Sequence, residues 1–148
     1  MNTPAMQPAS RQPLGFWTVR AGEAIGARTR AALAELGVTQ PEWWVLHQLS
    51  LHPDGMDRIR MVDTIGPNET PAEIEAAIDS AQAKGWLAQR SNMLRSTAAG
   101  TEVFVRCAAA QADLQAERMQ GISDEDFTTT IQVLQRTIEN VGGNAWHW

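Results

Sequence analysis

Few residues in this chain have the types and spacing to do chemistry. It carries six Trp and no Tyr, an unusual aromatic set. Trp17, Trp43, Trp44 and His47 fall on two consecutive helical stretches, and Trp43 and His47, four apart, share one helix face. An aromatic hollow with one titratable ring suits a planar or phenolic small molecule. Plain core or dimer packing is the other use of the same side chains. His47, His52 and His147 lack metal-ligand spacing with Cys or carboxylates, so no metal is expected. Gly142-Gly143 follows no strand and is not a phosphate loop. No nucleophile, base and orienting acid come together in the sequence, so neither a catalytic residue nor a cofactor is expected. Cys107, the single cysteine, excludes an intrachain disulfide and is read as a small core residue of a helix over 103–119.

Composition bounds the protein further. A chain of 148 residues with 43% hydrophobic content is enough for one domain with a real core. No apolar run approaches the ~18 residues of a membrane span. No charged stretch followed by an apolar block marks a signal peptide, so a cytoplasmic protein is expected. The formal net charge is −5, and every basic residue except Lys84 is Arg. Phosphate neutralisation supplies most nucleic-acid affinity, so an acidic chain needs a local basic surface to bind it.

The elements that must hold these residues are legible from their caps. Residues 1–13, with three prolines, read as a disordered lead-in. Leu14, Trp17, Ile25, Leu33 and Leu36 recur at helical spacing up to Gly37. Thr39 caps the next helix, with Pro41 in its first turn and Glu42 at its third position; it runs past Leu51 to the Pro53-Asp54-Gly55 turn. Ile59, Met61, Val62 and Ile65 read as the buried side of a short helix. After Gly66-Pro67-Asn68, Thr70 is an N-cap, with Pro71 and Glu73 behind it and Ile74, Ala77, Ile78 and Ala81 facing inward, as far as Lys84 and Gly85. Residues 86–90 and 93–96 read as a hairpin about Ser91-Asn92. Helices over 100–119 and from Ser123 through Phe127, Ile131, Leu134, Ile138 and Val141 close the chain. Trp146 and Trp148 sit in a glycine-tethered tail, either folded over a neighbour's groove or loose.

This order, with its local strings, resembles the MarR family of dimeric winged-helix regulators. Thr39-Gln40-Pro41-Glu42-Trp43-Trp44-Val45-Leu46 is similar to the opening of that family's second helix. Ala83-Lys84-Gly85-Trp86-Leu87 is similar to the end of its recognition helix, Ser96-Thr97-Ala98-Ala99-Gly100 to the close of its wing, and Gly121-Ile122-Ser123-Asp124-Glu125 to the entry of its last helix. The match covers roughly residues 14–141. It implies a mainly α fold with a small β-hairpin: a winged-helix lobe over about 39–97 between dimerisation helices at 14–36 and 101–141, within one domain spanning 14–148. It also implies a homodimer, a double-stranded DNA partner and a cleft for a small aromatic ligand near Trp17, Trp43, Trp44 and His47.

The resemblance makes residues 70–84 the DNA-reading helix, with Asn68 and Thr70 at its leading end. Its outer side offers Glu73, Glu75, Asp79 and Gln82, and its only base, Lys84, lies at the far end. The family's wing Asp-x-Arg is absent, since only Ser91-Asn92-Met93 separates Arg90 from Leu94. Arg58, Arg60, Arg90 and Arg95 are the remaining candidates for phosphate contact, or else are solvated or paired with Asp57, Asp63 and Glu69. Two functions stay open: a ligand-responsive DNA-binding regulator, or a MarR scaffold that has given up DNA and binds or transforms a small molecule, or binds a protein.

Overall fold

Every α-helix but the first, which follows Pro13 without a side-chain cap, begins where a short polar side chain accepts the first unpaired backbone N–H groups. In the computed structural model, which describes residues 4–147, these starts organise six α-helices and three strands: α1 (Leu14–Glu35), α2 (Gln40–Leu51), β1 (Met56–Asp57), α3 (Arg58–Ile65), α4 (Pro71–Ala83), β2 (Leu87–Arg90), β3 (Met93–Ser96), α5 (Ala98–Arg118) and α6 (Asp124–Asn140). Thr39 and Glu42 form the expected capping box on α2. Asp57, Thr70, Thr97 and Ser123 cap α3, α4, α5 and α6. Gly37 and Gly85 take positive φ (73° and 78°) where α1 and α4 end, the left-handed geometry in which glycine is unstrained.

Two apolar clusters result. One lies inside the winged lobe, where Val45 and Leu49 of α2 meet Met61 and Ile65 of α3, Ile74 and Ile78 of α4, and Leu87 and Leu94 of the sheet. The other joins Leu33, Val38 and Leu46 to Val103 and Cys107 of α5. Trp86 packs against both, so the base of the wing is where the two lobes meet. The sheet is antiparallel in the order β1-β3-β2. Leu94 is paired with Met56 on one side and Gln89 on the other, while Arg95 faces Ala88 and Met93 faces Arg90. Paired residues share a face, so Arg90, Met93 and Arg95 lie on the side opposite Leu94.

Some expectations are corrected. Ile59, expected on the buried side of α3, is 64% exposed in the first turn beside the Asp57 cap. Leu51 is exposed as well, and α1, expected as a dimerisation helix, buries only Thr29 and Leu33 and leaves Leu14, Trp17 and Ile25 exposed. α6 buries nothing, although its apolar row is present. β1 is a strand of two residues, too short to show as an alternating pattern. α5 starts at Ala98 rather than Gly100. Ahead of α1, Ala9–Arg11 form an exposed 3-10 turn, and Gln12 accepts from Trp17 Nε1 at 2.6 Å. Residues 1–3 of the expected lead-in and Trp148 of the tail lie outside the described residues. Among the described residues, no helix is long and apolar enough to cross a membrane.

The Thr-x-x-Gly string at the end of the wing has a steric cause. Thr97 donates to Gly85 O (2.6 Å) through its hydroxyl and to Trp86 O (3.0 Å) through its N–H, which pulls α5 down onto the strand start. A Cβ at Gly100 would stand 1.8 Å from Trp86 O, a backbone atom that cannot swing aside. Gly100→Ala is therefore expected to cost about 3 kcal/mol by overpacking. Thermal denaturation checks this, with Gly22→Ala, which meets open space, as the tolerated control.

Candidate nucleic-acid interface

The face built by α3, α4 and the wing is organised by charge. Lys84, the one lysine, is exposed but turns its ammonium back towards α2. Its Nζ donates to Glu42 Oε1 (2.9 Å) and Oε2 (3.1 Å) and to Gly37 O (3.2 Å), and it lies 4.6 Å from the centre of the Trp86 ring. Glu42 is 1% exposed. Burial alone would raise its pKa, but the Ser80 hydroxyl (2.6 Å), the Thr39 N–H (3.0 Å) and Lys84 outweigh that and hold the carboxylate ionised. This cluster fixes α2 against the C-terminal half of α4.

Arg58, at the start of α3, is the second charged junction. Its side chain is 16% exposed and bridges α4 and the wing. Nε donates to Glu75 Oε2 (2.7 Å), Nη2 to Asp79 Oδ1 (2.8 Å) and also to the Glu75 carboxylate, and Nη1 to Gln89 Oε1 (2.9 Å). Arg58 is thus ion-paired, and its partners are Glu75 and Asp79 rather than Asp57, Asp63 or Glu69. Asp57 instead accepts from Ile59 N–H, Arg60 N–H and the Asn92 side chain, interactions that lower its pKa and tie the wing tip to α3. Arg58 N–H completes the tie by donating to Asn92 O at 2.8 Å. Ser91 turns the hairpin with φ 54°.

Arg60, Arg90 and Arg95 are exposed and have no ion-pair partner among the described residues. Arg90 and Arg95 rim a hollow of about 540 Å³ floored by Ala88 and Met93 on the outer wing face. Asn68 and Thr70 are exposed at the leading end of α4. Beside them Glu69 and Glu73 approach closely enough that the Glu73 carboxyl raises the Glu69 pKa.

The four aromatic candidates do not form one site. Trp17 stands at the exposed start of α1, edge-on to Phe16 at 5.1 Å. Trp44 packs into the winged-lobe core. Trp43 and His47 do come together, and the structure adds Phe104 of α5, stacked on Trp43 at 5.5 Å with the planes 5° apart. Phe104 also lines a cleft of about 370 Å³ between α2 and α5, with Leu46, Leu49 and Ser50 opposite. Sequence spacing could not find Phe104, since its partner is on another helix. Nor could it find the Arg58 pairings, which span 17 and 21 residues.

A short capped helix, a helix presented across it and a three-stranded wing make this a winged helix-turn-helix, and its arrangement with α1, α5 and α6 is the MarR-type fold. No family model matches the chain, and no curated relative matches it. Solved structures do. The MarR family protein Rv2887 of Mycobacterium tuberculosis in complex with DNA superposes with a TM-score of 0.67 at 24% identity, covering 89% of this chain and 99% of that one. CouR of Rhodococcus jostii RHA1 bound to p-coumaroyl-CoA gives 0.72 at 20% identity, covering 88% and 94%. Reduced MarR of E. coli gives 0.69 at 16% identity, covering 86% and 94%.

Within the aromatic stack, burial lowers the His47 pKa, and His147 adds to the effect. The folded state therefore favours the neutral ring, while an unfolded chain takes up the proton near pH 6.5. Stability is lost as pH falls below about 6.5. Urea midpoints at about pH 7.5 and about pH 5.5 check this. His47→Gln is expected to flatten the difference.

Proposed function

We propose that this chain is a DNA-binding transcriptional regulator of the MarR type, acting as a cytoplasmic homodimer and responding to a small aromatic ligand. The observation that carries the DNA reading is the trio of exposed arginines on the α3 and wing surface, Arg60, Arg90 and Arg95, with no ion-pair partner among the described residues, beside a capped and exposed α4 N-terminus. In this reading Asn68 and Thr70 meet the major groove and the arginines take phosphates. The likeness to the DNA-bound Rv2887 supports it.

The dimer reading rests on uncovered apolar surface. Phe127, Ile131 and Ile138 of α6 and Leu14, Phe16 and Val19 of α1 are all exposed, and large apolar side chains gathered on the outer faces of two helices are what a partner surface covers. A second copy related by a two-fold axis covers both faces at once. The ligand reading rests on the cleft lined by Phe104, the ring on which Trp43 stacks, and on CouR bound to p-coumaroyl-CoA.

A second reading keeps the cleft and drops DNA. It is favoured by Glu69 and Glu73, which stand at the DNA-facing end of α4 with no basic partner among the described residues. Polarisation titration against the DNA flanking the protein's own gene separates the two. The regulator binds it, and Arg90→Ala or Arg95→Ala each weakens binding several-fold and reduces the salt slope by about 1 for each phosphate no longer neutralised. Quenching of Trp fluorescence by small aromatic acids, with no DNA binding, selects the second reading.

A further inference from the structure

An acidic helix that meets DNA needs its charge handled. Of the three acids on the outer side of α4, Glu75 and Asp79 are four apart and therefore on one face. Both are partly exposed, so their charge acts through solvent on a phosphate docked nearby, and salt screens it over a Debye length of about 10 Å. Arg58 closes over that face from α3. Its guanidinium engages both carboxylates and the Gln89 amide, which leaves little of its donor set for a phosphate. Gln89 is paired with the buried Leu94 and so lies on the inner face of the sheet. One side chain thus fastens α3, α4 and the wing together from the inside.

We propose that Arg58 is a positioning residue for DNA binding: as the internal counter-ion of Glu75 and Asp79 it neutralises the middle of α4 and holds that helix against the wing, leaving phosphate contact to Arg60, Arg90 and Arg95. The proposal rests on the regulator reading above. It assigns Arg58 a role different from that of the other three arginines. Removing it exposes two carboxylates to the phosphates, and removing the carboxylates releases a cation towards them.

The test compares the wild type with Arg58→Met, Glu75→Gln/Asp79→Asn and the triple variant. DNA affinity is read by polarisation at low and moderate salt, and folding by urea denaturation. Arg58→Met is expected to weaken binding tenfold or more at low salt and less at moderate salt, because the unmasked repulsion is screened. The triple variant returns to within about threefold of wild type, and the double variant binds more tightly, with a salt slope steeper by about 1 for each released arginine. A triple variant as weak as Arg58→Met overturns the proposal, whether Arg58 is then a direct phosphate contact with a reduced slope or a purely structural residue whose loss is salt-independent. If Arg58→Met does not fold, the double variant decides: tighter binding supports the proposal and unchanged binding overturns it. If the wild type binds no DNA, the regulator reading fails on its own. The urea series then decides the counter-ion: stability lost in Arg58→Met and regained in the triple variant upholds it, and no regain ends it.

Discussion

The charges of α4 are answered mostly from inside the protein. Lys84 turns back to the buried Glu42, and Glu75 and Asp79 turn to Arg58, so the helix is clamped electrostatically at its far end and along its middle. These two junctions reach α2, α3 and β2, the elements around which a helix-turn-helix is built. Neither is a simple surface pair. Glu42 is fully buried and satisfied by hydroxyl, amide and ammonium donors, the condition under which a buried charge is tolerated. Arg58 offers a planar fork to two acids and an amide.

With α4 held this way, the outward charge of the surface falls to residues on other elements. Arg90 and Arg95 are placed by strand register and Arg60 by the first turn of α3, which the Asp57 cap begins. The clipped wing is stiffened by Asn92 bridging to Asp57 and to Arg58 N–H. Trp86 and Gly100 then couple this lobe to α5, and α5 carries Phe104 into the aromatic stack. A ligand in the α2–α5 cleft would therefore press on the element that the wing is bolted to.

Much of this was legible in the residues themselves. Thr39, Thr70 and Ser123 mark helix starts because capping is local chemistry, and Ile74, Ala77, Ile78 and Ala81 mark the inner side of α4 because helical spacing is local geometry. What was not legible is non-local. The acids of α4 read as an exposed repulsive face because their counter-ion precedes them by 17 and 21 residues. Glu42 read only as a capping residue, although Ser80 and Lys84 make it a buried junction. The apolar rows of α1 and α6 read as faces of dimerisation helices, and of these rows only Leu33 is buried among the described residues. Periodicity reports which side is apolar and not what meets it.

In the proposed regulator, Arg60, Arg90 and Arg95, which have no ion-pair partner among the described residues, supply the local basic surface that the acidic total withholds. The salt dependence of DNA binding by the wild-type protein measures this most directly. A dimer using Arg60, Arg90 and Arg95 from each copy predicts that the logarithm of the association constant falls against the logarithm of salt with a slope of about −5. A slope near zero, or no binding at low salt, would contradict it.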